Sequence, residues 1–289
     1  MGSTPTSGTI SPSFHQRVPT LRPNRRLIVS AFCLLGCLGR VNAGEPARFL
    51  PFMGPQLEAA RYSSANEDFA WVGWIGGSVD LVEKGRGSLY FAPNVETILG
   101  HRVRSFEAVQ ANYSLEVGLR FDIGRGRISP FFHHVSRHVQ DREKFQAVDW
   151  NFLGLRYDSP WPERWGRKGA FAASLGAATL SSGVSYKWEA RASADIDLVR
   201  NGNRAWFVLG DVRLVGAEAS PAFPRDRLTD LRAEVGFRRW AETSQFALFA
   251  AYERRSDALI PTALVSRRGL FGFRIRGQRR PAPAILPFP

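Results

Sequence analysis

The stretch "VQANYSLEVGLRFDI", residues 109–123, decides the fold. Successive side chains of a strand point to opposite faces. Val109, Ala111, Tyr113, Leu115, Val117, Leu119, Phe121 and Ile123 then share one face, and Gln110, Asn112, Ser114, Glu116, Gly118, Arg120 and Asp122 share the other. One face is apolar and the other polar. The run is also long. Soluble strands average about 5 to 6 residues, whereas a tilted membrane-crossing strand needs about 9 to 11.

The same alternation recurs along the chain. "YKWEARASADIDL" sets Tyr186, Trp188, Ala190, Ala192, Ala194, Ile196 and Leu198 against Lys187, Glu189, Arg191, Ser193, Asp195 and Asp197. "DLRAEVGFRRW" sets Leu231, Ala233, Val235 and Phe237 against Arg232, Glu234, Gly236 and Arg238. "GLFGFRIRG" sets Phe271, Phe273 and Ile275 against Gly272, Arg274 and Arg276. Reading the whole chain this way predicts strands at 58–63, 68–82, 87–99, 108–123, 127–138, 147–158, 168–180, 185–199, 204–215, 228–239, 244–255 and 267–276. That is about 12 strands, and bacterial outer-membrane barrels have an even number.

A soluble sandwich alternates too, but it buries its apolar face in its own core. Long strands with a charge at nearly every second position would fill such a core with ions. A membrane barrel has the inverse arrangement, a polar interior and an apolar belt. The expected fold is therefore all-β, a closed antiparallel transmembrane β-barrel. Tyr113, Trp188, Trp206, Trp240 and Tyr252 fall near strand ends, where an interfacial aromatic girdle belongs. Short turns should face the periplasm and long loops the outside. The alternation of connection lengths breaks around 158–184, where "DSPWPERWGRK" is long and "SSG" is short.

Ahead of the strands, Arg22, Arg25 and Arg26 precede an apolar run, Leu27 to Leu38, and then Val41-Asn42-Ala43. A basic region, an apolar core and a small-residue site in that order read as a cleaved secretory signal. The polar lead is long for a signal and suggests a true start near Val18 or Leu21. "LLGC", residues 34–37, also resembles a lipoprotein box with Cys37 as acceptor. Cleavage after Ala43 would remove both Cys33 and Cys37, which excludes disulfides and thiolate chemistry from the mature chain. The expected organisation is a signal at 1–43, an N-terminal segment at 44–57, the barrel at 58–276 and a basic, proline-rich tail at 277–289.

The chain of 289 residues carries a formal charge of +13, and without the five arginines of residues 1–43 it carries +8. For an exported protein the partner of that charge is an anionic envelope surface rather than nucleic acid. The sequence implies the outer membrane of a Gram-negative bacterium, with outer-membrane lipid and lipopolysaccharide as partners. No nucleotide loop, redox motif or cofactor signature appears.

Chemistry concentrates in "FFHHVSRHVQD", residues 131–141, which holds three of the five histidines. His134, Ser136 and His138 share one face; His133, Val135 and Arg137 take the other. A metal site fits poorly, because His134 and His138 lie about 13 Å apart along a strand and zinc ligands sit about 2 Å from the ion. A hydrolase fits better: His134 as base, Ser136 as nucleophile, and Asp141, Glu143 or Asp149 orienting the imidazole. The preferred expectation is structural, with His138 and Asp141 pinning the following loop.

The His-x-Ser pair resembles that of lipid A deacylases, small barrels with an acid on the next strand, although Arg137 stands where an Asn usually follows the serine. A wider resemblance rests on "FLPFMGPQLEAARYS" and on His134, Ser136, His138 and Asp141. It is to a family of uncharacterised bacterial outer-membrane proteins with His-x-Ser-Ser-His-x-Gly-Asp-Glu in a mid-barrel strand. Arg137, Gln140 and Arg142 replace the second Ser, the Gly and the Glu. The resemblance implies an outer-membrane barrel and no activity. The function expected from sequence is an envelope barrel of unresolved activity, with a lipid acyl hydrolase or a small solute channel as alternatives. Interleaved lumen charges such as Lys187, Glu189 and Arg191 can pair across strands, which favours a closed or very narrow pore.

Overall fold

The computed structural model describes residues 46–63, 67–139, 148–162, 167–220, 224–256 and 265–277. The signal segment 1–43, Asp141, Glu143 and the tail from 278 onward lie outside the described residues. Twelve antiparallel strands form one closed ring. In chain order they are β1 (Arg48–Tyr62), β2 (Trp71–Lys84), β3 (Gly87–Gly100), β4 (Glu107–Ile123), β5 (Gly126–Val139), β6 (Val148–Pro160), β7 (Gly169–Ser182), β8 (Tyr186–Asn201), β9 (Arg204–Ala217), β10 (Arg227–Trp240), β11 (Ser244–Arg255) and β12 (Ser266–Gly277). Each strand pairs with its sequence neighbours, and β1 closes the ring on β12.

The alternation sorts the side chains as the sequence implies. On β4, Leu115 is 44% exposed while its neighbours Ser114 and Glu116 are buried at 4% and 9%. The outer surface collects Val117, Leu155, Leu175, Val235, Leu248 and Phe271. Tyr113, Trp188 and Tyr252 sit at the long-loop end of this belt and Trp206 at the other; Trp240, expected in the girdle, shares the inner face with the buried Gln245 opposite it and lies against the Arg238 guanidinium. From Tyr113 to Ile123 the chain advances ten steps of about 3.3 Å on a strand tilted about 40°, so the belt is roughly 25 Å tall, the height of a barrel's apolar band. The fold is that of an outer-membrane barrel.

The lumen is filled by charge. Glu58 accepts hydrogen bonds from Arg232 at 2.6 Å and Arg274 at 2.5 Å, and Arg274 also reaches Glu234 at 2.7 Å. Arg255 pairs with Glu96 at 2.7 Å, Arg191 with Asp211 at 2.8 Å, and Arg213 bridges Glu189 at 2.6 Å and Asp230 at 3.0 Å. Isolated buried ions are costly, and cross-strand pairing offsets that cost. Apolar layers stack among the ion pairs, for example Tyr62, Trp74, Ile98, Phe207 and Phe249. A cavity of about 530 Å³ remains near the short-turn end, lined in part by Ser114, Arg120, His133, Arg156 and Asp158.

Several details depart from the sequence reading, among them Lys187, expected in the lumen but exposed and paired with Glu218. β1 begins at Arg48, so most of the segment expected before the barrel is strand. Val109 is buried although alternation sets it on the outer face. The register slips there, with Ile98 opposite Gln110 and Leu99 opposite Ala108, so Val109 is the extra residue of a bulge. It packs against Gly100, where an added Cβ would lie 2.8 Å from the Val109 side chain. Finally, the connections around β7 do invert the length rule. Residues 161–168 form a longer link at the short-turn end, and 183–185 a tight one at the loop end, turned by Gly183 at φ +77°.

Two expectations follow. Val117→Arg places a guanidinium near the middle of the belt and costs about 2 to 4 kcal/mol, whereas Ser114→Arg opens into the cavity and is mild. Folding titrations into lipid vesicles measure both, and equal costs would invert the assigned faces. Planar-bilayer recording should show small conductance or none, because Arg191, Arg232 and Arg255 of the lumen are held in pairs. Large stable openings would contradict a filled interior.

Candidate functional site

The polar cluster lies at the loop end of β5 and β6, on the outer wall. Directly opposed residues of an antiparallel pair share a face. Ser136 stands opposite Tyr113 of β4 and Asp149 of β6. His134 stands opposite Leu115 and Asn151. Tyr113 and Leu115 are outward, so His134, Ser136 and His138 are outward as well. Their neighbours Val135 and Arg137 are buried in the lumen. One step further into the belt come Val117, Phe132 and Leu153, all exposed. The cluster thus sits at the upper edge of the apolar belt, level with Tyr113.

Ser136 Oγ lies 2.7 Å from His138 Nε2. For the hydroxyl to donate, Nε2 must hold a lone pair and the ring proton must sit on Nδ1. The His138 ring meets the Tyr113 ring edge-on, with centroids 5.7 Å apart. His134 is tied elsewhere: its Nδ1 lies 2.6 Å from Asn151 Oδ1. An amide oxygen only accepts, so His134 carries its proton on Nδ1 and leaves Nε2 as an acceptor. Asn151 is held in turn by Thr179 Oγ1, which donates to its backbone carbonyl at 3.4 Å. A bulge between Asn151 and Phe152 against β7 shifts the register just below the cluster.

Of the residues expected from sequence, the structure brings His134 and Ser136 to one surface. It gives the serine a different partner, because the imidazole in contact is His138. Asp141 lies outside the described residues. Asp149 stands in register across from Ser136 on the same face. Asn151 was not singled out from sequence. Only the β5–β6 register reveals that it faces His134.

His133 belongs to a separate environment. It points inward to the lumen cavity, beside Glu116, Arg156 and Glu189. There Arg156 clasps Glu116 through two hydrogen bonds of 2.7 Å, and Tyr90 donates to the same carboxylate at 2.7 Å. This is a lumen network, with the barrel wall between it and Ser136.

No protein-family model matches the chain, and no curated protein matches it in sequence. Solved structures with a similar barrel include LpxR from Salmonella typhimurium, at 9% identity and a TM-score of 0.46, covering 78% of this chain and 99% of that one. They also include the outer membrane phospholipase A from Escherichia coli, at 10% identity and a TM-score of 0.44, covering 79% and 93%. A third is the translocator domain of autotransporter NalP from Neisseria meningitidis, at 11% identity and a TM-score of 0.38, covering 88% and 95%. At such identities no residue role passes from one chain to another.

Proposed function

We propose that this chain is a Gram-negative outer-membrane barrel, exported by a cleaved signal peptide, whose outer wall hydrolyses acyl esters of membrane lipids. The observation that supports this is the Ser136–His138 hydrogen bond on the lipid-facing surface, at the edge of the apolar belt. A serine is a weak nucleophile until an adjacent base takes its proton. A polar pair is also costly against hydrocarbon, and at the belt's edge it meets the depth where acyl esters of lipids lie. Phospholipid and lipopolysaccharide are the substrate class.

In this reading Ser136 Oγ attacks the ester carbonyl carbon as His138 Nε2 takes its proton. The imidazolium then gives that proton to the departing alcohol oxygen, leaving an acyl-serine. Water, deprotonated by the same imidazole, releases the fatty acid and restores the hydroxyl. His134, fixed by Asn151, presents a second imidazole on the same face. Asp149, across from Ser136, is the acid nearest in register.

A second reading treats the cluster as a stitch. The His134–Asn151 and Thr179–Asn151 bonds join β5, β6 and β7 near the loop end. The readings separate on one assay. Purified, folded protein is mixed with phospholipid or lipopolysaccharide in detergent, and free fatty acid is quantified by mass spectrometry. Release that Ser136→Ala removes is the expected result. No release from the wild type on either lipid leaves the stitch.

A further inference from the structure

The outer wall formed by β10, β11, β12 and β1 carries its charge in an uneven way. Every Asp and Glu of those strands, namely Glu58, Asp230, Glu234 and Glu253, is buried in the lumen. Among the described residues of these four strands, the outward charges at the loop end are all arginines. Arg254 and Arg267 stand directly opposite each other in the β11–β12 register. Both belong to the outer face, since the alternate residues Glu253, Arg255 and Leu270 are buried. Arg254 donates to the Thr229 carbonyl at 2.5 Å, a neutral partner, and among the described residues no carboxylate is paired with it. Arg267 is exposed. Lower on the same wall Arg61 lies over the Trp71 ring at 6.0 Å. Beneath the pair come Tyr252 and Phe271, 45% and 65% exposed, and then Leu248.

Like charges set directly opposite on a sheet destabilise it. An opposed, outward arginine pair at the rim of an apolar belt therefore calls for an anion. Guanidinium forks favour phosphate geometry. The apolar and aromatic surface below would take acyl chains. We propose that Arg254 and Arg267, assisted by Arg61, bind the phosphate of a phosphorylated glycolipid in the outer leaflet. The Tyr252–Phe271 surface seats that lipid's chains. The site uses no residue of the serine cluster. It rests on the barrel standing in the membrane with its long loops outward.

The test is a titration of the full, folded protein in neutral detergent with fluorescent diphosphoryl lipid A. The comparison ligand is the same lipid after enzymatic dephosphorylation. Arg254→Gln combined with Arg267→Gln should raise the dissociation constant at least about tenfold, the effect of losing charge-assisted hydrogen bonds. The dephosphorylated lipid should bind the wild type as weakly as the intact lipid binds this double variant. Without lipid A the double variant should melt no lower than the wild type, because a repulsion has been removed. Arg204 and Arg239 form an opposed, exposed pair at the other rim. Their double Gln variant should bind like the wild type. Affinity unchanged by Arg254→Gln and Arg267→Gln would overturn the proposal. So would equal loss in the Arg204 and Arg239 variant, or competition by excess inorganic phosphate, which would mark a small-anion site.

Discussion

His138→Ala should lower the rate of acyl release about 10²- to 10⁴-fold, the range that a positioned general base contributes. Ser136→Ala should remove release altogether, because among the described residues no other hydroxyl of the cluster is in contact with an imidazole. The reason for the His138 effect is geometric. Its Nε2 is already 2.7 Å from the serine oxygen, whereas the bonded nitrogen of His134 faces Asn151. His134→Ala should therefore lower the rate less than His138→Ala does. Rates on mixed micelles of phospholipid measure all three variants, with heat-modifiable gel migration as the check that each barrel is folded. Loss of activity in His134→Ala with none in His138→Ala would move the base to the other imidazole.

The second large effect concerns the lumen. Glu58 is buried, and its two oxygens take one guanidinium each, Arg232 and Arg274. Glu58→Ala leaves both charges without that carboxylate. Removing one partner of a buried ion pair costs about 3 to 5 kcal/mol. The bridge between Arg102 and Glu67 is the useful contrast. Its side chains are 50% and 64% exposed, so its loss should cost under about 1 kcal/mol. Urea-dependent folding into vesicles compares the two variants. Equal costs would mean that the lumen is wet enough to screen its charges.

Barrel architecture was legible because a period of two, held over long runs, leaves little choice of face. Val109–Ile123 and Arg227–Trp240 show that pattern, and each became one strand. The first strand was harder. "RFLPFMGPQ" has two prolines and no clean alternation, yet it pairs with β2 from Arg48 onward, across a register shift between Phe49 and Phe52. Edge-like irregularity of this kind becomes strand only when a partner holds it, and the partner is not visible locally.

The cluster was legible in direction and not in pairing. Alternation set His134, Ser136 and His138 on one face. The spacing His-x-Ser-x-His is symmetric about the serine, so nothing in it selects a base. Side-chain torsions decide, and they answer to neighbours on other strands: Asn151 for His134 and Tyr113 for His138. Those neighbours follow from register, which depends on the loop between β5 and β6 and on the bulge at Asn151. The structural role preferred from sequence assumed a tie between His138 and Asp141. The contact of His138 with Ser136 is what shifts the preferred reading toward chemistry.

The most direct test of that reading is covalent. Folded wild-type protein is treated with a long-chain fluorophosphonate, digested, and searched for the adduct by mass spectrometry. One adduct is expected, on Ser136, formed far more slowly in His138→Ala. An unmodified Ser136, or labelling that His138→Ala leaves unchanged, would contradict it.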